Sequence, residues 1–207
     1  MFWKRKKRDD GHKFWAWLAA NTARIQAAGP EGVTEFVPQI AHAFEKSYPD
    51  LVFEISPSTS GPWIFCVSAD GNLELFDQVK SAVASVGAIP GWEVKPFRQR
   101  GSLDAAITMN DRTLGYDDIW CEVEPDGARA RVRLLVSGLT LDSAETLLGA
   151  ALVLLDNAVG EHDSVVKIAD LDNGPLPTNP TKSQTFFPLS ELPGYLDGLT
   201  TGPARDA

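Results

Sequence analysis

Over residues 51–100 the apolar positions first alternate, then recur at every third or fourth place, then alternate again. Leu51, Phe53 and Ile55 fall on one side of an extended chain, with Val52, Glu54 and Ser56 on the other. After SPSTSGP, Trp63, Phe65 and Val67 oppose Ile64, Cys66 and Ser68, which predicts two antiparallel strands. Asp70-Gly71-Asn72 stops the second strand, because Gly accepts positive φ and its polar neighbours can bond backbone N–H groups. A helix is predicted to start near Leu73, with Phe76, Val79, Val83 and Val86 as the stripe that lies on the sheet. Residues 88–91 then form a return loop and 92–97 a third strand.

The flanks follow the same logic. Phe14, Trp17, Leu18 and Ile25 mark an amphipathic helix that ends near Gly29-Pro30, and Phe36, Ile40 and Phe44 mark a second, with Thr34 as its cap and Pro38 in its first turn. These two helices precede the sheet and are expected to cover a face or edge of it. Residues 104–109 read as an edge strand and Asn110-Asp111 as a turn. Residues 119–136 form a hairpin around the dipeptide Asp126-Gly127, which pairs Glu124 with Arg129, Glu122 with Arg131 and Trp120 with Arg133. One face is then a charged ladder topped by a cation–π contact, and the other, Ile119, Cys121, Val123, Ala130, Val132, Leu134 and Val136, is core. Asp142, with Glu145 three residues on, reads as the cap of a helix over 147–159. Apolar residues surround most of that helix, so it should be buried on more than one side, against the sheet and either another helix or a second subunit. A strand over 165–171, a Pro-rich connector over 174–180 and a short helix over 188–199 complete the reading.

The two halves share an order of hairpin, Val-Ser turn, helix and strand, with the Val-Ser pairs 69 residues apart and Glu54 and Glu122 68 apart. The fold expected is α+β: an antiparallel sheet with helices packed on it, a pseudo-repeat of two ββαβ units with both long helices on one face, preceded by two N-terminal helices. The domain organisation expected is a single α+β domain over 14–199, with halves at 51–100 and 117–171, between a disordered basic tail at 1–13 and a disordered tail at 200–207.

Charge and composition narrow the function. The chain of 207 residues carries a net charge of -9, yet its first 13 residues contribute +4. The body is therefore acidic, which disfavours nucleic acid as a partner. No apolar run approaches the roughly 20 residues needed to cross a bilayer. The basic start resembles a signal-peptide n-region, but FWAWLAANTARIQ is interrupted by Asn21 and Arg24 and lacks a cleavage site, so the expected location is the cytoplasm. Phe2 and Trp3 beside basic residues make contact of residues 1–8 with an anionic membrane the alternative to a solvated tail. Cys66 and Cys121 fall mid-strand without CxxC spacing and read as small buried residues.

Asp50-Leu-Val-Phe-Glu54, Val67-Ser-Ala-Asp-Gly71, Gly91-Trp92, Phe97-Arg-Gln-Arg100 and Gly160-Glu161 together resemble the pattern of an uncharacterised family of bacterial cytosolic proteins. In that family an LxFE strand, an SADG turn, a W...FRxR strand and a late D...GE element follow in this order. The resemblance runs from about Phe14 to Leu171. It implies the element order and a bacterial source, and it carries no established activity and no site residue.

Seven charged positions fall where chain turns gather: Glu54, Asp70, Arg98, Arg100, Asp117, Asp118 and Glu161. Glu54 or Asp70 paired with Arg98 would lock the third strand against the hairpin through a charge-assisted bond. The functional alternative is an anion pocket built on Arg98 and Arg100. Asp117, Asp118, Asp156 and Glu161 are oxygen donors without EF-hand spacing, and His12, His42 and His162 stand in no ligand or triad pattern, so neither metal nor cofactor is expected. Ser68 and Ser137 lack a nucleophile elbow, and no phosphate-binding glycine loop occurs. The leading expectation is a non-catalytic cytosolic protein-interaction or self-association module. The alternative is an enzyme or sensor of a small anionic ligand held by Arg98 and Arg100.

Overall fold

The computed structural model describes residues 11–199, and the chain divides into two compact units, Met1–Arg98 and Gln99–Ala207. The fold is α+β. The expectations for residues 1–8 and 200–207 lie outside the described residues; of the predicted tail, residues 11–13 form the first turn of α1.

In the first unit, α1 (Gly11–Ala27), the single turn α2 (Gly29–Gly32) and α3 (Val37–Ser47) precede β1 (Val52–Ser56) and β2 (Trp63–Ser68), followed by α4 (Phe76–Ala84) and β3 (Trp92–Pro96). Thr34 caps nothing: it sits in a 3₁₀ turn and its hydroxyl donates to the Glu31 carbonyl, while α3 begins after Phe36 without a side-chain cap. Asn72 does cap, its side-chain oxygen accepting from Glu74 N–H at 3.0 Å. The sheet order is β1-β2-β3, with β1 antiparallel and β3 parallel to β2. Parallel pairing follows from the helix between β2 and β3, which returns the chain to the starting end of the sheet.

The alternation then does what it predicts. Phe53, Phe65 and Trp92 share a sheet face, and that face receives aromatic rings from α1 and α3. Phe65 stands 5.4 Å from Phe14, 5.5 Å from Trp15 and 5.8 Å from Phe44, centroid to centroid. Such tilted and edge-on pairs add about 0.5–1.5 kcal/mol each beyond the area they bury. Trp15 donates its indole N–H to the Tyr48 hydroxyl at 2.9 Å, which removes the polar cost of burying both.

In the second unit a hairpin of β4 (Ala106–Met109) and β5 (Arg112–Gly115) stands as its own two-stranded sheet. Then come β6 (Ile119–Asp126), β7 (Arg129–Val136), α5 (Ala144–Val159), α6 (Glu161–Lys167), β8 (Ile168–Pro175), β9 (Phe186–Pro188) and α7 (Leu192–Asp197). The four-stranded order is β8-β7-β6-β9, with β8 parallel to β7. Hairpin, helix and parallel strand thus recur in both units with the same strand order. Each unit closes its own sheet, where the sequence led us to expect one antiparallel sheet. The inward face of the hairpin is as predicted: Ile119, Cys121, Val123, Ala130, Val132, Leu134 and Val136 are all buried and pack with Leu147, Leu154 and Leu155 of α5.

Four local expectations are corrected. The hairpin loop is Gly127-Ala128, with positive φ at Gly127 alone, the signature of a II′ turn; Asp126 therefore faces Arg129, Glu124 faces Arg131 and Glu122 faces Arg133. A shift of two keeps every side chain on its predicted face. Trp120 faces Leu135, and its ring lies 4.9 Å from Phe186 in place of the expected arginine. At the start of α5, Asp142 is exposed and the helix begins after Ser143 without a side-chain cap; in the turn before it the hydroxyls of Thr140 and Ser143 each accept the other's backbone N–H. The helix ends at Val159 as expected, with Gly160 at φ 76° behind it, but the chain resumes as α6, so β8 starts at Ile168.

Candidate functional site

The predicted site residues separate by unit. In the first, Phe97 takes φ 63°, an uncommon value for a bulky residue, while its N–H donates to the Val67 carbonyl at 2.7 Å and its ring packs 4.4 Å from Phe76. The bend leaves Arg98 beside the end of β2. Its Nε bonds the Glu54 carboxylate on β1, and its Nη2 bonds Asp70 at 2.7 Å. Asp70, at φ 51°, is steadied by the buried Ser68 hydroxyl, which accepts its N–H at 2.9 Å. One guanidinium therefore ties β1, the turn after β2 and the exit of β3.

In the second unit Arg100 is held more fully. It makes two parallel 2.7 Å bonds to Asp197 at the end of α7, a 2.5 Å bond to Asp163 on α6 and a 3.1 Å bond to the Val159 carbonyl at the end of α5. Lys167, four residues past Asp163, reaches Asp163 at 3.1 Å and Asp197 at 2.9 Å. His162 Nδ1 lies 3.1 Å from Asp163. The bonds to Asp197 push the Arg100 pKa upward, and those from Arg100 and Lys167 hold Asp197 well below the usual carboxylate range. Burial alone would raise Asp163, but His162, Lys167 and Arg100 hold it down. Lys167 is raised by its two carboxylates against the effect of burial. An anion at Arg98 or Arg100 would have to displace carboxylates already bonded there.

The remaining expected positions scatter. Asp117 is exposed, and Asp118 spends its carboxylate on Gly115 N–H at 3.0 Å. Glu161 is buried in the first turn of α6. Asp163, Lys167 and Asp197 were missed; the Asp163–Lys167 spacing on a short polar segment was the one signal that could have found the first two. Among the described residues no three His, Cys, Asp or Glu side chains gather as a metal site, and no helix is long and apolar enough to cross a membrane.

Two open clefts add little chemistry. One of about 860 Å³ in the second unit is lined by Lys182, Phe187, Glu191 and Tyr195. Another of about 750 Å³ in the first unit is lined by Lys13, Trp17, His42 and Lys46.

The outward face of the four-stranded sheet is more organised. Glu122, Glu124 and Asp126 form a row on β6, Arg129, Arg131 and Arg133 a row on β7, and Asp170 and Asp172 a row on β8. Arg131 lies 3.6 Å from both Glu124 and Asp126, and Arg133 lies 3.7 Å from Glu122 and 3.5 Å from Asp172. These are loose contacts, and side chains in them remain 47–71% exposed. Trp120 and Phe186 border the face at its far end. Comparisons with protein-family models, with curated proteins and with solved structures find no match for this chain.

Proposed function

We propose that this chain is a non-catalytic protein-interaction module of the bacterial cytoplasm, and that it docks through the outward face of the β6–β8 sheet. The observation that carries the reading is the contrast between its charged groups. Arg98 and Arg100 are closed into short bonds within their own units, whereas Arg131 and Arg133 hold their carboxylates at 3.5 Å or more and stay half exposed. Loosely held, exposed charges in ordered rows are what a partner can recruit with little reorganisation. Cys66 and Cys121 are buried thiols, which suits a reducing compartment.

The test is affinity capture of the tagged chain from its host lysate, washed at low and high salt, beside an Arg131→Glu, Arg133→Glu variant. A stoichiometric protein, which includes untagged copies of the chain itself, is expected at low salt and lost at high salt and with the variant. Equal recovery by the variant would count against this face.

A further inference from the structure

Resting on that reading, we infer that the occupant of the face is the same face of a second copy. The argument is one of symmetry and charge. Across the hairpin, Asp126 stands opposite Arg129, Glu124 opposite Arg131 and Glu122 opposite Arg133. A two-fold axis lying along the strands, midway between β6 and β7 and just above the sheet, lays the acidic row of one copy over the arginine row of the other at the same height. Arg133 then faces Glu122 of the partner and Glu122 faces the partner's Arg133, and the same holds for Glu124 with Arg131; Arg129, opposite Asp126, is already bonded to the Ile168 carbonyl of its own copy. This is the reciprocity that an isologous interface requires.

Size sets the strength. Strands of eight residues at about 3.4 Å per residue are roughly 27 Å long, and the two hairpin strands that the axis superposes span about 10 Å, which gives a self-matching face of roughly 270 Å² per copy. That lies below the roughly 800 Å² per partner of a standard interface, so the dimer is weak and concentration-dependent. The net charge of -9 opposes association. It acts at long range and is screened beyond about 8 Å at physiological ionic strength, whereas the facing rows meet at contact distance.

Sedimentation velocity of the purified full-length chain over a concentration series tests this, with two variants: Arg131→Glu, Arg133→Glu, and Glu122→Arg, Glu124→Arg. Each variant alone should weaken self-association by about tenfold or more. Mixed together, they should regain association as a heterodimer, because every facing pair is opposite in sign again. The mixture guards against misfolding, since a variant that merely unfolds cannot be rescued by its counterpart. A wild-type chain that stays monomeric at concentrations on the order of 0.5 mM overturns the second-copy inference. Should the face still capture a different protein, in a manner the arginine reversal abolishes, the docking reading survives and only this inference falls. Dimerisation unchanged in both variants overturns it as well.

Discussion

Replacing Arg100 by Met keeps the apolar stem and removes the guanidinium from the junction of α5, α6 and α7. The loss can be worked contact by contact. Asp197 is half exposed, so its pair counts as a surface ion pair of about 0.2–1 kcal/mol despite its two-bond geometry. Asp163 is 20% exposed, and a hydrogen bond to a charged group there contributes about 1.5 kcal/mol. The cation at the Val159 carbonyl adds about 0.5 kcal/mol as a helix C-terminal charge. Lys167 stays bonded to both carboxylates and limits the damage. The expected destabilisation is about 2 kcal/mol, which for a unit of this size lowers the melting temperature by about 10 °C. Urea denaturation gives the energy, and hydrogen exchange over α6 and α7 shows where it is lost. The pH dependence follows from the carboxylates. Asp163 and Asp197 titrate lower folded than unfolded, so their contribution is whole above the unfolded value near pH 4 and drains as pH falls through the folded values. The gap between wild type and variant should stay constant from about pH 5 to 9 and close in stronger acid. A gap under about 0.5 kcal/mol at neutral pH, or one that persists undiminished at about pH 2, would refute the reasoning.

Two further outcomes are expected. Gly91→Ala and Gly127→Ala should each cost about 1–2 kcal/mol by denaturant titration, a backbone cost: both glycines have positive φ, a Cβ at 127 meets nothing within 4 Å, and one at 91 meets only the end of the flexible Gln26 side chain, which can move aside. Burial pushes the Cys121 thiol up to about 12, so a thiol reagent at pH 8 should leave Cys121 unmodified in the folded chain and label it promptly in denaturant; rapid native labelling at Cys121 would contradict the packing of β6.

Side-chain period was the legible part. The inward face of the β6–β7 hairpin could be named residue by residue because a strand buried on one side leaves no other place for Val123 or Val132. Strand direction was not legible, since alternation has no arrow; the parallel pairing of β3 and β8 comes from the connecting helices. The II′ turn was misplaced by one residue because Gly127 fits the positive-φ position of either reading. α6 and β9 were missed for want of length: seven and three residues are too few for a period to declare itself. The same holds for the Arg100 cluster, whose carboxylates lie 63 and 97 residues further along the chain, where no local pattern points back to Arg100.

The pair of arginines also decides where the chain can be cut. Arg98 belongs by its bonds to Glu54 and Asp70, Arg100 to Asp163 and Asp197, and only Gln99 stands between them. A fragment ending before Arg98 would expose two carboxylates stripped of their cation, and one beginning after Arg100 would leave Asp163 and Asp197 to Lys167. For expression of either unit alone, the useful boundary is one residue wide, and fragments trimmed two residues too short would be measured as less stable than the unit is.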